Sequence, residues 1–229
     1  MQGVVFDFDG VIADTERLHL AAYQQVFARR GWHLDETSYF ERYLGVSDAI
    51  LIRMFARDRG LSLSEHDERT FMQEKMHAYL EVLREGNCLY PGAVECIRDA
   101  ARQYPLAIAS GSLRAEILHI LDGNGLTDAF QAIVSAENVT RSKPAPDPYL
   151  AAARSLDLAA DACLAIEDSS RGVESARAAG MRTIGVTTSS TAEQLAAADL
   201  VLARIAEITP DVLGRVFALP ALATRATGA

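Results

Sequence analysis

Positive charge is scarce in this 229-residue chain: 22 Lys and Arg stand against 31 Asp and Glu, a net charge of −9. Nucleic acid backbones and anionic membranes are held by clustered basic residues, so neither is the expected partner. A small phosphorylated molecule stays open, because a metal and one or two basic side chains can hold it locally. Cysteine is nearly as sparse. Cys88, Cys96 and Cys163 are odd in number and form no C-x-x-C pair, which favours reduced thiols over a disulfide framework or a zinc site. No apolar run is long enough to span a bilayer, and Met1-Gln2-Gly3 leads straight into Val4-Val5-Phe6 with no basic leader or lipidation motif. The cytoplasm is the expected location. Nucleotide-binding glycine patterns are missing too: no G-x-G-x-x-G follows the first apolar run, no G-x-x-x-x-G-K-[ST] occurs, and Gly123-Asn124-Gly125 lacks the third glycine.

What is present suits a folded core: 49% of residues are hydrophobic and 23% charged. Short apolar runs recur at Val4-Val5-Phe6, Leu106-Ala107-Ile108-Ala109, Ile133-Val134, Leu164-Ala165-Ile166, Thr183-Ile184-Gly185-Val186 and Leu200-Val201-Leu202. Helical patterns separate most of them, which predicts βα units and a parallel sheet covered on both faces. Ile117, Ile120 and Leu121 share a helix face that Gly123-Asn124-Gly125 ends, and a helix from about Ser170 to Ala179 stops at Gly180. Residues 16–85 differ. They read as helical throughout, with Ser64 and Asp67 as a capping box ahead of an apolar stripe of Met72, Met76, Tyr79, Leu80 and Leu83, read as core packing. The expected fold is therefore α/β. A Rossmann-like parallel sheet core, residues 1–15 and 86–229, carries an inserted all-helical domain at 16–85. Residues beyond Pro220 show no pattern, and nothing fixes an oligomeric state.

In open parallel sheets, ligands bind at the carboxyl ends of the strands. Asp7, Ser110 and the Glu167-Asp168 pair each follow an apolar run at that end. Such an acidic edge is how hard cations such as Mg²⁺ are held, through carboxylate, carbonyl and water oxygens. Asp7 and Asp9 are two residues apart and point the same way if the extended path continues. One carboxylate can then attack phosphorus while the other protonates the leaving oxygen and later activates water. Gly10 permits the turn that follows. Residue type alone leaves a plain polar turn as the competing reading of Asp7-Phe8-Asp9-Gly10.

Asp7-Phe8-Asp9-Gly10-Val11-Ile12-Ala13-Asp14-Thr15-Glu16 resembles the first motif of the haloacid dehalogenase (HAD) superfamily. Ala109-Ser110-Gly111-Ser112 resembles the second motif and Ser142-Lys143-Pro144-Ala145-Pro146-Asp147 the third. Ile166-Glu167-Asp168-Ser169, with Arg171-Gly172-Val173 and Ala179-Gly180, resembles the fourth. The ordered set spans residue 3 to about 186. The helical insert resembles the cap of the subgroup holding β-phosphoglucomutase and the sugar-phosphate and phosphoglycolate phosphatases.

The resemblance implies a phosphatase acting on a small phosphorylated metabolite. Asp7 would be the nucleophile that forms an aspartyl-phosphate, and Asp9 the general acid and base. Mg²⁺ would lie on the Asp7 carboxylate, the Asp9 main-chain carbonyl and Asp168, with Glu167 nearby or through water. Ser110 and the Gly111 amide would hold phosphoryl oxygens, and Lys143 would neutralise charge on the phosphoryl group and Asp7. His19, where related mutases carry a histidine, and Arg114 are candidates for substrate contact, each against an ordinary place on a helix surface. The second aspartate, Asp9, argues against the dehalogenase and phosphonatase branches. Gly45-Val46-Ser47 matches a substrate loop of the mutases, yet Leu44 and Asp48 stand where those carry lysine and arginine. Hydrolysis is thus expected over phosphomutase activity, because Asp48 would repel a second phosphate unless Arg42, Arg53 or Arg114 compensated. A non-catalytic, ligand-binding relative is the reading outside the enzyme class.

Overall fold

Val4, Val5 and Phe6 favour extended backbone and have no polar atom to expose, so β1 (Gly3–Phe6) is buried along its length. The structure, a computed structural model, describes residues 2–43, 48–85 and 88–219. Among these, β2 (Leu106–Ala109), β3 (Ala132–Val134), β4 (Cys163–Glu167), β5 (Arg182–Val186) and β6 (Leu200–Leu202) join β1 in one sheet of order β3-β2-β1-β4-β5-β6. Every pairing is parallel. β1 lies between β2 and β4, in a register that sets Val5 beside Ala107 and Ala165. The chain order reverses at β1 and β4, where an open parallel sheet leaves a crevice at the strand carboxyl ends.

Helices cross between the strands. α7 (Asp147–Ser155) packs Tyr149, Ala152, Ala153 and Leu156 against Val5, Ala107, Ala109, Cys163 and Ala165 of the sheet. α6 (Arg114–Gly123) ends at Asn124 with Gly125 at φ +61°, and α8 (Ser170–Ala178) is followed by Gly180 at φ +89°. Both stops are the left-handed glycines the sequence offers for the purpose.

The chain divides into two compact units, Met1–Asp14 with Leu89–Ala229, and Thr15–Cys88. The second holds α1 (Thr15–Ala28), α2 (Glu36–Arg42), α3 (Asp48–Asp58) and α4 (Glu65–Glu85). The capping box at the start of α4 forms: the Asp67 amide donates to Ser64 Oγ at 3.2 Å, and the Ser64 amide donates to Asp67 Oδ2 at 2.9 Å. The stripe on α4 is rotated from the expected one. Phe71, Lys75, Ala78, Tyr79 and Leu83 are buried, whereas Met72 is 39% exposed. A lysine takes a core position here because Asp48 Oδ2 lies 3.1 Å from its ammonium, and a buried charge is tolerated when it is paired. No helix among the described residues is long and apolar enough to cross a membrane.

Candidate active site

The ladder between β1 and β4 runs one residue past the strand, the Asp7 amide donating to Ile166 O at 2.9 Å. Asp7 is thereby carried beside Glu167 and Asp168 at the sheet edge. The chain then turns sharply, Gly10 N donating to Ala13 O and Ala13 N to Phe8 O. Gly10 sits at φ +77°, and a Cβ there would lie 1.8 Å from Asp168 Oδ2. Two requirements, a left-handed backbone and the approach of a carboxylate, therefore fix glycine at this position. Thr188 Oγ1, just beyond β5, donates to Gly10 O and closes the turn.

Lys143 bridges the first and fourth motifs. Its Nζ is 2.9 Å from Asp7 Oδ1 and 2.6 Å from Glu167 Oε1. Arg171 Nη2 donates to Lys143 O at 2.9 Å and Ser175 Oγ to Ala145 O at 2.5 Å, so α8 holds the lysine's loop in place. Burial alone would depress the ammonium, but the carboxylates of Asp7 and Glu167 outweigh it and raise its pKa. Lys143 stays charged.

Glu167 is wholly buried. Its Oε1 accepts from Lys143 Nζ and, at 2.7 Å, from the Tyr149 hydroxyl; its Oε2 accepts from the Asp168 amide and from the Ser169 amide and hydroxyl. Burial would raise this carboxyl, yet Lys143 and these donors hold it below its ordinary range. Its neighbours have less support. Burial, then Glu167, pushes Asp7 well above the usual carboxylate range despite Lys143, and the same two causes take Asp168 up to about 7.

Asp7, Glu167 and Asp168 each offer an oxygen within 4.8 Å of the others. Three hard donors, two of them reluctant to ionise, are a donor set that suits a hard dication such as Mg²⁺. The Asp9 side chain lies outside this trio. Its Oδ2 accepts from Ser112 Oγ at 2.5 Å and from Ser110 Oγ at 3.1 Å, while Ser110 Oγ also accepts from the Ser112 amide. Ser110 is buried at the end of β2; Gly111 beside it is exposed, with open space where a Cβ would stand. Asp7, Asp9, Ser110, Lys143, Glu167 and Asp168 are thus gathered at one end of the sheet.

The softer candidates have partners of their own. Arg114 is exposed on α6 and its Nη1 donates to Ile133 O at 2.9 Å. His19 lies in the helical unit, its Nδ1 2.7 Å from Lys75 Nζ and its ring stacked on Tyr79 at 4.4 Å between centroids. The ammonium donates, so Nδ1 accepts and a neutral ring carries its proton on Nε2. This histidine does not stand on a bare helix surface: it helps hold a buried lysine. Asp48 accepts from Lys75 and, at 2.6 Å, from the Tyr23 hydroxyl. Its charge is compensated, so the expected repulsion of a second phosphate loses its force. Leu44 and the Gly45-Val46-Ser47 loop lie outside the described residues.

Several contributors escaped the sequence reading. Tyr149 passes for an ordinary core aromatic, Ser112 for a spare hydroxyl beside Ser110, and Thr188 follows β5 with no motif around it. Gly172 carried a signal without a reason. A Cβ there would lie 1.8 Å from the Glu167 carboxyl. Gly172→Ala should therefore displace Glu167 and cost about 1–3 kcal/mol as an overpacked site. At roughly 2–4 °C per kcal/mol for a chain this size, a thermal melt would show it clearly. Gly123→Ala, where a Cβ meets nothing within 4 Å, should leave the melt unchanged or raise it. Equal melts for the two variants would contradict this packing.

Comparison with known proteins agrees with this geometry. A family model described as haloacid dehalogenase-like hydrolase matches residues 4–186. The phosphorylated carbohydrates phosphatase of Thermotoga maritima is 32% identical over 187 residues, covering 80% of this chain and 84% of that protein. The beta-phosphoglucomutase of Bacillus subtilis is 29% identical over 221 residues, covering 93% and 94%. Among solved structures, CbbY from Rhodobacter sphaeroides in complex with phosphate superposes with a TM-score of 0.78 at 29% identity, covering 91% of this chain and 96% of that one.

Proposed function

This chain belongs to the haloacid dehalogenase-like hydrolases and is a phosphatase of phosphorylated metabolites; from that premise we propose that it works through an aspartyl-phosphate on Asp7, with Mg²⁺ as cofactor. One observation carries the reading: the Asp7 carboxylate lies between a buried cation, Lys143, and a carboxylate cluster suited to a dication. Asp7 attacks phosphorus, and Asp9 protonates the departing oxygen. Asp9 then takes a proton from the water that hydrolyses the acyl phosphate. Ser110 and the Gly111 amide hold phosphoryl oxygens, so the Ser110 hydroxyl must turn from Asp9 to its ligand. Lys143 offsets charge on Asp7 and the phosphoryl group. Asp7, the Asp9 carbonyl and Asp168, with Glu167 beside them, would hold Mg²⁺, which would supply the remaining positive charge.

The substrate is a small sugar phosphate or a phosphoglycolate-type molecule, and the helical unit is the cap that selects it. Hydrolysis is favoured over phosphoryl return because the candidate grips for a second phosphate are engaged. Arg42 pairs with Asp58 at 2.5 Å, Arg53 with Glu68 at 2.7 Å, and Arg114 donates to Ile133 O. A phosphate-release screen over sugar phosphates, phosphoglycolate and nucleotides, with and without Mg²⁺, tests the reading. With β-glucose 1-phosphate and trace glucose 1,6-bisphosphate, free phosphate is expected. Rapid formation of glucose 6-phosphate with little free phosphate would make the chain a mutase.

Mg²⁺ binding should also show without turnover. Asp168 is raised from 3.8 to about 7. The folded chain thus keeps a proton that the unfolded chain releases between those values. This contribution to stability falls as pH rises through that window and is flat above it. A cation needs the carboxylate form, so Mg²⁺ should raise the melting temperature more at pH 8 than at pH 5. An equal rise at both, or none at either, would remove Asp7 and Asp168 as ligands.

A further inference from the structure

We propose that Tyr149 is a positioning residue that sets where the Lys143 ammonium stands between Glu167 and Asp7. The inference rests on the hydrolytic reading above and adds a residue to it. Tyr149 touches the pair twice. Its hydroxyl donates to Glu167 Oε1 at 2.7 Å, the same oxygen that Lys143 Nζ reaches at 2.6 Å, and its ring centroid lies 5.0 Å from that Nζ.

Packing does not explain the hydroxyl. Tyr149 is fully buried among Ala152, Ala153, Val5 and Ala165, where a phenylalanine ring fills the same space without a polar atom to satisfy. A buried hydroxyl costs free energy unless it is hydrogen-bonded, and here its bond goes to the carboxylate that holds the lysine. Burial, followed by the charges of Glu167 and Asp7, keeps the phenol protonated and therefore donating.

The consequence lies in the division of Lys143. Its ammonium is shared between Glu167 at 2.6 Å and Asp7 at 2.9 Å. With Tyr149 donating, Glu167 Oε1 has part of its charge met elsewhere and draws less on the lysine. Without that donor the same oxygen relies on Lys143 alone and pulls it off Asp7, where charge changes during the reaction. The ring face fixes the ammonium from the third side by cation–π attraction. Only the 141–149 segment is needed to deliver both parts, since α7 begins four residues beyond Lys143.

A double-mutant cycle decides the matter. Tyr149→Phe keeps the ring and should lower kcat by about tenfold while KM moves less than about twofold and the melt stays near that of the parent. In a Glu167→Gln background the same change should have no further effect, because the group it acts through is altered. Affinity for beryllium fluoride with Mg²⁺, followed by fluorine NMR, reads the same geometry without turnover and should fall in parallel. A wild-type chain that releases no phosphate from any monoester overturns the hydrolytic reading; the fluoride cycle then still decides Tyr149. Unchanged kcat and fluoride affinity in Tyr149→Phe would overturn the proposal. So would equal losses in both backgrounds, which would mean packing alone.

Discussion

Asp7→Asn is expected to lower phosphate release by at least about a thousandfold while the melting temperature holds or rises. An amide occupies the same volume but is a poor nucleophile, and it lacks the charge that a cation would need. Stability moves the other way because the native carboxylate is held at a cost. Burial and the charge of Glu167 raise its pKa, and a carboxyl raised in the folded state weakens folding at neutral pH. The neutral amide removes that cost and leaves Lys143 paired with Glu167. Activity above a few per cent of the parent would exclude covalent catalysis through Asp7. A melt lowered by many degrees would show that the charge had been supporting the fold.

Lys143→Met is expected to fail in both respects. Methionine keeps much of the aliphatic volume yet leaves Asp7 and Glu167 as buried carboxylates with no cation between them. Breaking a buried pair from one side costs about 3–5 kcal/mol, so the melt should fall by roughly 10 °C. Turnover should drop about 100- to 1000-fold, as for a lost electrostatic donor at a developing charge. Mg²⁺ should restore part of the melt, because it brings positive charge to the same oxygens. The two variants sit at the two ends of one 2.9 Å contact and should displace the melt in opposite directions. Shifts of the same sign would mean that the charges at this centre balance differently from what the geometry indicates.

The sheet was legible because its strands are short, apolar and bounded. A strand buried on both faces has no polar residue to obscure it, and all six runs noted in the sequence became β1 to β6. Asp7, Ser110 and Glu167-Asp168 stand out because each breaks such a run with a polar residue at the same end. The order of the strands was not written in the runs. It follows from crossovers and helix packing, and it is what brings the ends of β1 and β4, distant in sequence, within 4.8 Å. Helical periodicity served less well where charge is paired. On α4 the apolar residues alone set the expected face a little to one side, because apolar periodicity does not count a buried lysine such as Lys75, whose partner Asp48 lies on another helix. Tyr149 and Ser112 were hidden for a related reason. Their importance lies in oxygen contacts across 18 and 103 residues, which no local pattern records.

The central position of β1 also orders events during synthesis. The strand that bears the nucleophile is made first, but Asp9 and its partner Ser110 lie 101 residues apart, and β4 is made later still. At about 5–20 residues per second, β1 waits on the order of ten seconds for both neighbours. The helical unit, Thr15–Cys88, is a single uninterrupted stretch and is complete before β2 emerges. Lys143 precedes Glu167 in the chain, so the cation is already in hand when the most deeply buried carboxylate arrives. A ribosome-bound chain halted before β4 therefore carries the nucleophile and its lysine without the carboxylates that complete the cluster, and it can have no turnover.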